Sequence, residues 1–456
     1  MFYIFLTSCL ICVWLIASSA CRQASSGAPM MAAPCEIALA PHSGDAKIDR
    51  EITHLQQEIR SKVKPSQTTA MIEKLGWSFI EKARLSFDPG YYKLAEQSAL
   101  CLDTMKDEAR GENPKASGQS PDQPADRPLA TSKSIHAAAL LLRGHALDNL
   151  HHFSEAEKYA RELVEIRGLA YDFGLLGDAL MEQGKTDEAA HAYQKMMDLR
   201  PGPQAYGRAA NLRWLKGDTN GARALMLMSA QAAGEGDPES AAWAWTKLAS
   251  YELEVGDMKR AQAICDEALQ TQADYAPALL AKGRMLLAEN RNSEAISVLE
   301  HAAQLNPLPE YQWALADALR AANRQDEAAK VEGQLVATGE ANDPRSYSLF
   351  LATRGQQPDV ALRLAQEELK VRRDVYTLDA LAWAQNAHGD AAEAWKTMQS
   401  ALALGTVDAR LYLHAAAISA RAGATAQAKI YAGKAAKSAS SLLPGERIQL
   451  AQLKHV

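Results

Sequence analysis

Apolar and polar positions along the chain fall into three regimes. Residues 2–17 are almost wholly apolar. Further on, Ile48, Ile52, Leu55, Ile59 and Val63 recur on one helical face and stop before Pro65, which predicts an amphipathic helix. From residue 134 to residue 441, long helical stretches alternate with turns, and a short phrase keeps returning. It consists of Gly or Asn, a few polar residues, often an acid, and then Ala. It is clearest from Gly184 to Ala189, Asn290 to Ala295, Asn323 to Ala328 and Gly389 to Ala394.

The closing alanines keep a register. Ala156, Ala189, Ala222, Ala261, Ala295, Ala328, Ala361, Ala394 and Ala428 are separated by 33, 33, 39, 34, 33, 33, 33 and 34 residues. Each copy has a mechanical meaning. Gly184 or Asn323 supplies the left-handed conformation that ends one helix. Asp187 or Ser293 is placed to cap the next, and an acid there suits its positive end. The alanine lies where the second helix presses on the first. The pattern therefore predicts a helix–turn–helix unit in every period.

Within one period, Phe173, Leu176, Gly177, Leu180, Ala189, Tyr193 and Pro201 stand at the spacing of the tetratricopeptide repeat. Leu279, Gly283, Leu286, Ala295, Leu299 and Pro307 form a second copy, without the Leu before the Gly. The chain resembles the tetratricopeptide repeat family, and the periodic region covers two-thirds of it. The resemblance implies an all-α, right-handed superhelical solenoid of about nine to ten repeats. It also implies that the first helix of each pair lines a concave groove.

The flanks predict further pieces. Trp77, Phe79, Ala83 and Ala95 mark a divergent first repeat over residues 71–105. Residues 106–133, with Pro114, Pro121, Pro124 and Pro128, read as a mobile insert before the array of residues 134–441. The helix ending before Pro65 reads as a cap on the first repeat, within residues 22–70. Residues 442–456 are a candidate cap at the other end.

The apolar N-terminus, residues 1–21, predicts an export signal, since it is shorter than a spanning helix and is followed by small residues. Leu15 to Cys21 resembles a bacterial lipobox: Ser19 and Ala20 fit the pattern, while Ser18 stands where an apolar residue is usual. Acylation of Cys21 and plain cleavage after Ala20 are the two leading outcomes, with an uncleaved anchor or a start at Met30 or Met31 as alternatives. The chain is thus expected outside the cytoplasm, periplasmic or in the envelope, with a lipid tether if Cys21 is acylated. Residues 22–43 read as a tether.

Composition removes several alternatives. Forty-nine basic and 55 acidic residues are interspersed, giving a net charge of -6, so no basic face is available for nucleic acid. Beyond Cys21, only Cys35, Cys101 and Cys265 remain, with no C-x-x-C pair, which predicts no disulfide framework and apolar packing for Cys101 and Cys265. No phosphate loop, zincin motif or nucleophile elbow occurs. His145, His151 and His152 are read as turn histidines, not ligands. No catalytic, metal or cofactor residue is therefore assigned, and the expected partner is a protein or peptide.

The groove positions expected to carry binding are Asn211, Trp214, Trp243, Arg284, Trp313, Asp317, Arg320 and Trp383, because Trp and Arg dominate interface energetics. His145, Asp178, Ser250, Tyr376 and Asp379 share the inward register, whereas Trp245 is placed in the core. A basic clamp for a peptide carboxylate lacks its Lys, with Gly207 in that place. Two functions remain: a noncatalytic scaffold gripping a partner in its groove, or a structural subunit of a larger assembly packing through its convex face.

Overall fold

A computed structural model describes residues 34–61, 65–111 and 131–453. The N-terminal apolar stretch, Cys21, Val63 and residues 112–130 of the insert lie outside the described residues. Short α1 (Pro34–Ala38) and amphipathic α2 (Lys47–Arg60) come first. The following pairs are α3 (Pro65–Ser86) with α4 (Gly90–Gly111), α5 (Ser132–Asn149) with α6 (Phe153–Ile166), and α7 (Ala170–Glu182) with α8 (Thr186–Leu199). Next are α9 (Pro203–Leu215) with α10 (Thr219–Ala233), α11 (Pro238–Glu254) with α12 (Met258–Thr271), and α13 (Ala276–Ala288) with α14 (Asn292–Leu305). The array continues with α15 (Pro309–Ala321) and α16 (Gln325–Asn342), α17 (Pro344–Arg354) and α18 (Pro358–Val371), and α19 (Val375–His388) and α20 (Ala391–Leu402). It ends with α21 (Ala409–Arg421), α22 (Thr425–Lys437) and the single helix α23 (Pro444–Leu453). Ten helix pairs thus stack in chain order among the described residues, an all-α solenoid.

The recurring alanines hold the pairs together. All nine, from Ala156 to Ala428, are between 0% and 2% exposed. The small residue on the partner helix is equally constrained: a Cβ on Gly177 would stand 2.3 Å from the Tyr193 ring, and one on Gly283 would stand 2.4 Å from Leu299. Such contacts bring paired backbones close, so a larger side chain forces them apart. Gly184, Asn290, Asn323 and Gly389 all take positive φ in the turns between paired helices. His151 takes the same conformation, φ 61°, in the turn between α5 and α6, stacked on Phe153. The longer alanine step of 39 residues is absorbed by a 17-residue α11 and a 3-10 turn at Gly234–Gly236.

Two local expectations change. Asp187 and Ser293 do not cap; they fall inside the first turns of α8 and α14, whose N-caps are Lys185 and Arg291. Arg291 instead grips Glu294, with nitrogen–oxygen distances of 2.8 and 2.6 Å. Cys101 is not a free packing residue but forms a disulfide with Cys35, across 66 residues of sequence. That bond pins α1 to α4, while the Gln56 side chain donates to the carbonyls of Ala38 and Ala40. The end of the expected tether is therefore docked from Pro34 onward. In α2, Ile48, Ile52, Leu55 and Ile59 are buried.

The superhelix also closes on itself. The last residue of four consecutive first helices offers its carbonyl to the next superhelical turn. Glu182 accepts from the Arg373 N–H at 2.7 Å, and Leu215 from the Thr406 hydroxyl at 2.8 Å. Glu254 accepts from the Ser438 hydroxyl, and Ala288 from the Arg447 guanidinium at 2.7 Å. Helix C-termini leave carbonyls unpaired and carry partial negative charge, so these donors satisfy groups that would otherwise need water. The groove is consequently a tube with a hydrogen-bonded seam, and residues 438–447 belong to the seam.

Replacing Ala189 with Leu should overpack α7 against α8 and cost about 1–3 kcal/mol in urea unfolding. An unchanged unfolding midpoint would refute the assigned close contact.

Candidate binding cavity

Inside the tube lies a cavity of about 610 Å³. Its wall is built from the first helices α11, α13, α15, α17 and α19, which bring Trp243, Arg284, Trp313, Arg345 and Tyr376 to one space. The start of α21 and the segment entering α23 close it with Asp408, Arg410, Leu443 and Glu446. Trp243 and Tyr376 keep 37% and 39% of their surface exposed although they belong to inward-facing helices. Both rings line the cavity.

Most charges in the wall compensate one another. The Arg284 guanidinium donates to Glu310 at 3.2 Å, and Arg410 donates to Glu446 at 2.7 Å. Asp317 accepts from Arg354 at 2.6 Å, yet burial holds its carboxyl above the usual range. Asp379 pairs with His414 at 2.9 Å. Lys247 lies one helical turn from Trp243 and makes no ion pair or hydrogen bond among the described residues. Loss of water lowers its ammonium below its ordinary value, with Glu310 pulling the other way. The Trp313 indole N–H is buried without an acceptor among the described residues, its ring edge-on to Phe350 and 5.9 Å from the Arg410 guanidinium.

The eight expected groove residues separate into two groups. Trp243, Arg284, Trp313 and Asp317 line the cavity. Trp214 does not: it is 3% exposed and stacks on Tyr251, with ring centroids 4.1 Å apart. Trp383, 7% exposed, stacks on His414 at 4.1 Å and donates its indole N–H to Thr353. Each is held by a ring from the next first helix, so these two are core side chains. Arg320 turns away from the cavity to clamp Glu332 on α16, at 2.5 and 3.0 Å. Asn211 is half-buried on α9 and is not part of the cavity wall. Trp245 packs, half-buried, among core residues of α11 and α12.

In the N-terminal half, the inward face is occupied by its own polar network. Asp178 takes a bidentate pair from Arg208 and a hydrogen bond from Tyr193. His145 lies edge-on to Trp77, and burial lowers its pKa to about 4. The His152 ring reaches Glu155 at 3.5 Å. Among the described residues, no three His, Cys, Asp or Glu side chains converge as a metal site requires.

Several cavity residues escaped the sequence pattern. Lys247 was within reach, since it shares a helical face with Trp243. Glu254, Asp408 and Glu446 were not, because superhelical closure brings them together from α11, the loop before α21, and α23.

Residues 252–318 and residues 173–203 each match a tetratricopeptide repeat model. No curated protein matches the chain. Among solved structures, Pseudomonas aeruginosa pilF is 15% identical, with TM-score 0.40, covering 49% of this chain and 100% of its own. The APC/C hetero-tetramer Cut9-Hcn1 is 12% identical, with TM-score 0.41, covering 90% of this chain and 93% of its own. At those scores neither bears on what this chain binds. These two segments of the chain are tetratricopeptide repeats, and such repeats serve protein–protein interaction.

The two classes of tryptophan should behave differently in urea unfolding. Trp214→Ala should cost about 3–5 kcal/mol, as for a buried aromatic, and Trp243→Ala less than about 1 kcal/mol. Equal losses would place Trp243 in the core.

Proposed function

We propose that the protein is a noncatalytic scaffold outside the cytoplasm that holds a short segment of a partner protein in its central cavity. The observation that carries this reading is the pair of half-exposed rings, Trp243 and Tyr376, brought from separate repeats into one largely charge-compensated space. A volume near 610 Å³ is that of a small-ligand pocket. It suits a few residues and not a long peptide running along the whole solenoid. The aromatic faces supply buried area, and Lys247 with the Trp313 N–H supplies donors for the segment's carbonyl or hydroxyl oxygens.

Trp243→Ala should weaken binding of array-selected peptides by about 2 kcal/mol or more, near thirtyfold, if the ring is a hot spot. Lys330→Ala, exposed on the convex second helix α16, should leave the same peptides bound. Equal affinity in both variants would remove the cavity from the reading. The second reading, a structural subunit packing through its convex face, draws on Met228, Val336 and Ile430. These are 44%, 40% and 56% exposed on second helices α10, α16 and α22. They stand singly, without forming a continuous stripe.

Export is supported by the apolar residues 2–17 with Ser18, Ser19, Ala20 and Cys21 behind them, and by the Cys35–Cys101 disulfide, a bond that persists in oxidising compartments. Among the described residues, no helix is long and apolar enough to cross a membrane. Mass spectrometry of native protein should find a chain beginning at Cys21, and Cys21→Ser should release it from membranes if that residue is acylated. A chain beginning at Met1 in the cytosol would overturn the export reading.

A further inference from the structure

The seam has one contact unlike the others. At Glu254, the last residue of α11, the side chain as well as the carbonyl crosses to the next superhelical turn: Oε2 accepts the Ala409 N–H at 2.8 Å, across 155 residues of sequence. The residue before Ala409 is Asp408, whose own carboxylate accepts the Leu411 N–H at 2.8 Å and caps α21. Two carboxylates therefore flank one strip of backbone where α11 meets α21, and both line the cavity. We propose that Glu254 and Asp408 form a pH-operated clasp, closed while the pair holds a proton and released when both ionise, so that the cavity wall opens between α11 and α21.

The surrounding charges favour that behaviour. Arg284 of α13 is the cation that acts on both carboxylates. Asp379 of α19 works against it, and His414 of α21 partly offsets Asp379. Tyr376 and Tyr412 face the same two acids, and Glu446 of α23 lies within reach of Arg284 and His414. Burial raises the Asp408 pKa to about 6, with Asp379 adding to it. Burial and then Asp408 push Glu254 well above the usual carboxylate range, against the Ala409 N–H, the Ser441 hydroxyl and Arg284. An acid whose pKa is higher in the closed form than in the open form binds more protons when closed. Closure is therefore strongest in acid and weakens as pH rises through about 6 and beyond. His414 acts with the same sign: burial works to lower its pKa, Asp379 overcomes that, and the attraction fades once the ring deprotonates.

Hydrogen–deuterium exchange at the Ala409 amide tests the clasp in the full chain, with no partner present. After correction for intrinsic exchange, protection should fall about tenfold or more between about pH 5 and about pH 8. The Leu175 amide in α7 should keep its protection over the same range. Glu254→Gln, which keeps an acceptor for the Ala409 N–H without a charge to lose, should hold protection across the range. If that variant fails to fold, Asp408→Asn, which retains a helix-capping oxygen, should show the same flattening. Protection independent of pH in the native chain would overturn the proposal, as would an unchanged pH dependence in the variants that fold. Because the readout is an amide at the seam, its failure leaves the partner-binding reading standing, and failed peptide binding leaves the clasp standing.

Discussion

The structure depends on how closely two helices can approach at an alanine. With Ala156, Ala189, Ala222 and their counterparts sealed at the centre of each pair, every unit takes nearly the same geometry. Stacking identical units accumulates a small rotation per repeat, and the sum of those rotations decides where the chain meets itself. One superhelical turn here takes between five and six repeats, so the end of α7 meets the loop before α19, and the end of α9 meets the loop before α21. The cavity is a product of the same sum. No repeat contains it, and its wall needs first helices from α11 to α21 at a fixed curvature.

Closure also explains why the interior is divided. Toward the N-terminus, Asp178, Arg208 and Tyr193 satisfy one another, and a part-buried network of that kind leaves little for a ligand to bind. From α11 onward, half-exposed rings remain at the cavity surface beside Lys247, which makes no ion pair or hydrogen bond among the described residues. Compensation of Arg284 by Glu310 and of Arg410 by Glu446 lets charged groups persist there without a large net field. What distinguishes this part of the tube is spare hydrogen-bonding capacity beside planar apolar faces.

Local regularities were legible in the sequence, and sums over many repeats were not. The alanine spacing, the glycine facing Tyr193 and the left-handed Gly184 and Asn323 follow from contacts within one unit, which each period repeats. Trp214 and Trp383 show where that reasoning stops. Their register is inward, but Tyr251 and His414 from the following first helices cover their faces, and no single period encodes such a neighbour. Arg320 leaves the inward register for a similar reason, because its guanidinium reaches Glu332 on its own partner helix. The Cys35–Cys101 bond was hidden because α1 carries no periodic signal. Glu254 and Asp408 meet only through closure.

The seam sets a limit that open repeat arrays escape. In an open solenoid each unit touches only its neighbours, so units can be gained or lost by duplication with a roughly local effect. Here donors at Arg373, Thr406, Ser438 and Arg447 must each find a particular carbonyl one superhelical turn away. Deleting or inserting one module between the end of α13 and α18 would displace all four donors together, leaving four helix ends to be solvated anew. The number of modules in that stretch is therefore an all-or-none property of the molecule. Lineages carrying this seam should vary in length only beyond its two ends.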